Sequence, residues 1–199
     1  MEIFISTFLK MFFIMTPFFV LSVFLTLTQD ATPKEKKALA IKVTVSVIIA
    51  SLILLFFGKH IFSVFGITLD AFRIGAGALL FLTAVELVKG SKDGAKASDK
   101  DISQLAVVPL AIPVTIGPGT IGILLVMGAT FESKASLIMG SLALVSAVVV
   151  IGLMLYTSTV FERLIGKQGL LVISKITGLF LAALSAQIVF TGIKGFLEL

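Results

Sequence analysis

The stretch AVVPLAIPVTIGPGTIGILLVM, residues 106–127, decides how the chain is read. It contains no charge, which suits a membrane interior. Yet Pro109, Pro113 and Pro118 remove backbone donors, and Gly117 and Gly119 add backbone freedom, where a plain span wants an unbroken helix. In hydrocarbon each freed carbonyl or amide needs an internal partner, a cavity or water. The Gly-Pro-Gly break therefore predicts two half-helices meeting near the bilayer midplane, the device by which secondary transporters build solute sites. A proline kink that merely packs is the plainer reading. Against it, Thr16-Pro17 sits in a similar apolar frame 101 positions before Gly117-Pro118, so the break occurs twice.

The bulk properties fit this reading. Of 199 residues 58% are hydrophobic, with a mean hydropathy of +1.16, a balance outside the range of soluble domains. There is no Cys, which excludes disulfides and thiolate metal sites, and a single His, which excludes a multi-His metal centre. Neither a metal nor any other cofactor is expected. The formal charge of +5 reads as the orientation code of membrane loops rather than a nucleic-acid surface, because Lys and Arg lie between apolar runs. The N-terminus lacks the basic start and small-residue cleavage site of a signal peptide, so the first apolar run is expected to remain as a span.

Six apolar segments are each long enough to cross about 30 Å of hydrocarbon. They run over 3–28, 38–57, 69–88, 105–130, 136–160 and 170–197. Residues 29–37 form a polar turn in which Thr32-Pro33 followed by Glu35 predicts a helix cap. Residues 58–66 and 161–169 read as interfacial stretches and 131–135 as a tight turn. Residues 89–104, KGSKDGAKASDKDISQ, read as a hydrophilic cytoplasmic linker between a first repeat, 1–88, and a second, 105–199, of one membrane domain.

Lys34, Lys36, Lys37, Lys42, Lys89, Lys92, Lys96, Lys100, Arg163, Lys167 and Lys175 fall on one side, against Lys10, Lys59, Arg73, Lys134 and Lys194 on the other. This bias predicts cytoplasmic odd-numbered loops and both termini outside. Arg73-Ile74-Gly75-Ala76 also matches Lys175-Ile176-Thr177-Gly178, an offset of about 102. Three spans per half make the two repeats inverted. The expected fold is thus all-α, with six transmembrane helices as two inverted three-helix repeats and with the first and fourth broken.

Polar groups inside the spans are the candidates for chemistry. Thr16 and Pro17 mark the first break, with Ser22 and Thr26 beyond it. Pro113, Thr115, Gly117, Pro118, Gly119 and Thr120 mark the second. Half-helix N-termini near Gly119 offer free amides to a carboxylate, and carbonyls freed by Pro113 and Pro118, with Thr16 and Thr115, suit an ammonium. Gln187 needs partners in the sixth span, as glue between helices or as cavity lining. Glu86 is either a proton-coupling acid or, the favoured reading, an interfacial partner of Lys89. His60, Asp70 and Arg73 read as an external charge cluster. Gly75, Ala76, Gly77, Ala78 and Gly178 read as packing faces, and the many Phe as lipid-facing bulk.

With these residues in view, the chain resembles the MarC family, also called the neutral amino acid transporter family, over essentially its whole length. VVPLAIPVTIGPGTI at 107–121 is similar to the family's VPLAIP-then-GPG hallmark. FRIGAGALLFLTAVEL at 72–87, PKEKKALA at 33–40 and SAQIVFTGIKGFL at 185–197 resemble further family segments. The first span departs: the family has Asn or Asp before Pro, then Gly two residues after that Pro, where this chain has Thr16, Pro17 and Phe19, and a further Pro where this chain has Ser22. The resemblance implies a multi-pass protein of the bacterial or archaeal inner membrane, carrying small neutral amino acids of the glycine and alanine class.

The expected function is therefore a gradient-driven secondary carrier with alternating access, not an enzyme. No GxxxxGK[ST] motif is present, so protons, Na+ or the solute's own gradient would drive it. Export rather than uptake, a non-transporting partner protein and assembly into a homo-oligomer remain open. An intramembrane enzyme is disfavoured, because the one His is interfacial and Cys is absent. The expected partners are the solute, the bilayer and the driving protons or Na+, and no nucleic acid is expected.

Overall fold

The computed structural model describes residues 2–89 and 106–197. Among these, every regular element is helical. Four helices are long and apolar enough to cross a membrane, and two bent pairs bring the crossings to six when each pair counts as one. The chain is a multi-span, all-α membrane protein.

The first crossing is α1, Glu2–Ile14, followed by α2, Pro17–Leu27, with a 41° bend between them. Thr16 makes that bend in the left-handed region, at φ 48° and ψ 58°, with its N–H donating to the Phe13 carbonyl at 3.0 Å. Pro17 then opens α2 with its fixed φ and its missing donor, at the one place where a helix has no use for that donor.

The fourth crossing begins with an irregular segment, Val107–Thr115, and continues as α5, Pro118–Thr130, after a 67° bend. Val108 and Ile112 leave the helical region, at φ, ψ of −126°, 119° and −131°, 124°. Both precede a proline, whose ring pushes the residue before it out of the α region; both X-Pro bonds are cis. Wide turns recover the freed backbone groups: the Ile116 N–H donates to the Ala111 carbonyl at 2.9 Å and the Thr115 hydroxyl to the Leu110 carbonyl at 2.7 Å. No buried side-chain polar atom is left without a partner among the described residues, as an apolar surrounding requires.

Between the broken crossings lie α3, Pro33–Phe65, and α4, Leu69–Lys89. The predicted cap of α3 is present: Glu35 accepts from the Thr32 amide at 2.7 Å and hydroxyl at 2.6 Å, while the Glu35 N–H donates back at 3.3 Å. The apolar span within α3 ends at Phe57, as expected, and the stretch read as interfacial, 58–66, continues the helix to Phe65 and stops at Gly66, whose φ of 63° costs a glycine nothing. The second half repeats the order with α6, Lys134–Tyr156, and α7, Ser158–Phe196, the latter kinked at Gly166. Most of the expected linker falls outside the described residues, and Lys89 is the last residue of α4.

The most extensive helix pair between the two halves is α4 with α7. A methyl group at Gly77 would meet Val189 Cγ2 at 2.7 Å and the Ser185 carbonyl oxygen at 3.1 Å; one at Gly178 would meet Val88 Cγ2 at 2.9 Å and the Ala84 carbonyl oxygen at 3.0 Å. Raising 77, 84 and 88 by 101 gives 178, 185 and 189, so the two sets are one contact made twice. This corrects the offset of 102 expected for these spans to the 101 of the two breaks. Further along, Gly192 lies against Asp70 and Arg73. High numbers on α7 thus face low numbers on α4, and the helices run antiparallel. Equivalent helices of a parallel repeat would run parallel; antiparallel pairing is the signature of a two-fold axis in the membrane plane.

The core is fully enclosed at Met11, Met15, Phe24, Leu80, Leu110, Leu124 and Leu144. Phe24 is thus an exception to the expectation that the Phe residues are mostly lipid-facing bulk, and Phe13 stacks on Phe180 with ring centres 5.4 Å apart.

Candidate functional site

Two cavities flank the middle of the structure. The first, about 180 Å³, lies between α1, α4, α5 and α7; Lys10, Arg73, Gln187 and Thr191 give its polar lining and Ile123, Val126 and Met127 part of its apolar lining. The second, about 230 Å³, lies between α2 and α7 and is lined by Ser22, Leu25, Thr26, Leu170 and Leu171. Residues 22, 25 and 26 on α2 become 123, 126 and 127 on α5 when raised by 101, so one wall of each cavity is the repeat-equivalent of the other. The α4–α7 pairing fixes their depths. Thr191 neighbours Gly192, which packs on Arg73 at the start of α4, whereas Leu170 and Leu171 lie at the other end of α7. The cavities occupy opposite halves of the membrane thickness.

The sequence-selected residues divide among several places instead of forming one pocket. Gln187 is exposed and lines the first cavity, and its side-chain amide has no hydrogen-bond partner among the described residues. Ser22 lines the second cavity, with the Thr26 hydroxyl bonded to its carbonyl at 2.9 Å. Thr16 and Thr120 are buried, each 4% exposed. Pro17 is buried as the first residue of α2, while Pro113 and Pro118 are exposed. Thr115 faces elsewhere, into a crevice of about 10 Å³ between α3 and α6 beside Thr44 and Gly152.

Two readings are corrected here. Gly119 does not face open space: a methyl group there would stand 2.8 Å from Leu80 Cα and 2.9 Å from its nitrogen, so this glycine lets α5 lie on the α4 backbone. Gly117 is tight only against the Pro113 carbonyl, at 3.3 Å. The first-turn amides of both half-helices, Phe18 and Phe19 in α2 and Gly119 and Thr120 in α5, do precede the first intrahelical bonds, Val20 to Thr16 and Ile121 to Gly117. Second, Glu86 and Lys89 form no ion pair; the ion pair among the described residues is Arg73–Asp70, at 2.6 Å. Both Glu86 and Lys89 are exposed, which lets each side chain stay with solvent or headgroups instead. His60 sits 6.2 Å from the Phe57 ring and takes no part in that pair.

Lys10, Arg73 and Thr191 also line the first cavity, away from the two breaks. A signal existed, since Lys10 is the single charge inside the first apolar run, and an ionisable residue within a span points to a cavity by default. At the offset of 101, moreover, Glu86 and Gln187 are equivalent positions on α4 and α7.

Comparison with known proteins agrees with this architecture. The family model described as MarC family integral membrane protein matches residues 1–197. A UPF0056 membrane protein of Aquifex aeolicus is 35% identical, with 98% of this chain and 94% of the relative covered. One from Methanocaldococcus jannaschii is 33% identical, with 98% of each covered. The UPF0056 membrane protein YhcE of Escherichia coli is 30% identical over 97% of this chain and 93% of its own length. No solved structure matches. With the family model spanning both broken crossings and both cavities, the chain belongs to the MarC family of integral membrane proteins.

Proposed function

We propose that this protein is a secondary carrier for small neutral amino acids of the glycine and alanine class, working by alternating access between its inverted halves. The observation that carries the reading is the pair of cavities with repeat-equivalent walls in opposite halves of the membrane. An inverted repeat can exchange the conformations of its two halves, which closes one cavity as it opens the other, at little difference in energy. The glycine-lined contact of α4 with α7 supplies a smooth surface for that rearrangement.

In this reading the loop bias places the Lys10 and Arg73 cavity on the outer side and the Ser22 and Thr26 cavity on the cytoplasmic side. The drive is a proton or Na+ gradient, or that of the solute. The protein lies in the bacterial or archaeal inner membrane with both termini outside.

The absence of native Cys makes the test clean. In proteoliposomes, Met127→Cys should react with an impermeant thiol reagent from the outside only and Thr26→Cys from the inside only. Glycine or alanine should shift the two rates in opposite senses, and labelled alanine should be taken up. Reaction of both positions from one side, indifferent to solute, overturns alternating access.

A further inference from the structure

We infer that the cavity between α1, α4, α5 and α7 is a carboxylate site, in which Lys10, Arg73 and Gln187 hold the anionic end of the solute and no acid pairs with an ammonium. The inference builds on the carrier reading and names the chemistry that reading leaves open.

The lining carries two cations, one carboxamide and one hydroxyl, and no acid. Lys10 is exposed and has no ion-pair partner among the described residues, and it stands six positions before the break at Thr16, about 9 Å along a helix. An ammonium that far inside a span is costly unless it meets water or an anion. Arg73 gives one nitrogen to Asp70, and the Asp70 carboxylate is held against Gly195, where a methyl group would stand 2.7 Å from it. Asp70 is therefore already committed to Arg73 and fixes its guanidinium, whose remaining N–H groups make no other hydrogen bond among the described residues. A planar guanidinium held by one carboxylate can still receive a second through its free edge. The Gln187 amide adds donors from the third wall, and the Thr191 hydroxyl is spent on the Gln187 carbonyl at 2.7 Å.

Among the described residues, no cation lines the opposite cavity. Its polar side chains there are the hydroxyls of Ser22 and Thr26, and the position equivalent to Gln187 is the acid Glu86. The two cavities share one repeat-equivalent wall and differ in the charge of their described linings, so a carboxylate is held more tightly in one than in the other. Since no acid lines the cationic cavity, an amine meets only the neutral oxygens of Gln187 and Thr191, and a simple monocarboxylate should occupy it as well as a zwitterion does.

The test is protection of Met127→Cys from a thiol reagent, in detergent free of phospholipid. Acetate and L-alanine should each slow the reaction at least fivefold, and L-alaninamide, which keeps the amine and lacks the carboxylate, should leave it unchanged. Lys10→Met should raise the half-protecting concentration of acetate at least tenfold, with Lys10→Arg restoring most of it; Gln187→Leu should raise it less. Equal protection by L-alaninamide, or an unaltered acetate response in a folded Lys10→Met protein, overturns the carboxylate site. So does protection by inorganic phosphate stronger than by acetate, or by phosphatidylglycerol nanodiscs alone, which would make it a headgroup site. Flux of alanine without any carboxylate protection would sink the site and leave the carrier. Carboxylate protection without flux or exchange would do the reverse.

Discussion

Gly77 on α4 and Gly178 on α7 are the same residue of two repeats, each pressed against a Val side chain and a main-chain carbonyl of the other's helix. Their contacts predict equal and mutual sensitivity. Gly77→Leu and Gly178→Leu should each destabilise the protein by about 1–3 kcal/mol, the range for overpacking a close contact. Gly75→Leu, at a position with nothing within 4 Å, should change stability little. Thermal unfolding of the three variants in one detergent checks the ordering, and a damaging Gly75→Leu would contradict the assigned face.

Gly119 should behave as a packing residue. The Leu80 backbone occupies the space its side chain would need, and backbone cannot step aside as a flexible side chain can. Gly119→Leu should lower stability by about 1–3 kcal/mol as well as transport. A variant that melts like the native protein yet fails to bind or move solute would return Gly119 to the ligand site.

Thr16 holds a β-branched side chain in the left-handed region, a conformation that costs an L-residue roughly 1–2 kcal/mol and that Asn tolerates better. Thr16→Asn, which also restores the family's usual residue, should stabilise the protein by up to about 1 kcal/mol. A lower melting temperature would mean that the Thr16 methyl contributes more to packing than its backbone costs.

Glu86 lacks the Lys89 partner that would have made it structural. Glu86→Gln should leave melting within about 0.5 kcal/mol of native, as for other exposed positions. In the carrier reading it should also preserve exchange of labelled alanine while abolishing accumulation driven by a proton gradient, because an amide cannot take up the proton. Full accumulation by the variant removes Glu86 from coupling.

Glu35 supplies a pH dependence whose sign is set by its cap. The Thr32 hydroxyl first, then the Thr32 amide, hold its carboxyl below the ordinary Glu value. A lowered folded-state pKa gives a contribution present above the unfolded value and lost as pH falls through the folded one. Amide exchange in the first turn of α3 should therefore quicken in acid below the ordinary Glu range, and Glu35→Gln should flatten that response.

Much of the architecture is legible in composition and spacing. Unbroken apolar runs of about twenty residues can satisfy their backbones in lipid only as helices, so the crossings follow from length alone. Pro17 and Pro118 mark the breaks because proline removes a donor wherever it stands, and Thr32 with Glu35 marks a cap because its bonds reach only three residues. These are local constraints, written where they act.

The site was less legible, for reasons that Gly119, Glu86 and Gln187 make plain. Open space beside Gly119, an ion pair at Glu86 and glue at Gln187 are statements about what lies across from each residue, and one chain position does not carry that information. Helix rotation decides it. The turn of α4 that lays Leu80 on Gly119 also brings Arg73 beside Lys10 and Gln187, residues far apart in sequence. Sequence by itself determined a helical membrane chain with two proline breaks and a doubled plan, because backbone satisfaction in hydrocarbon is a local demand. Only the tertiary structure decided which glycines pack, the register of 101 in the α4–α7 contact and the gathering of cations in one cavity, because close packing is settled between helices and not along them.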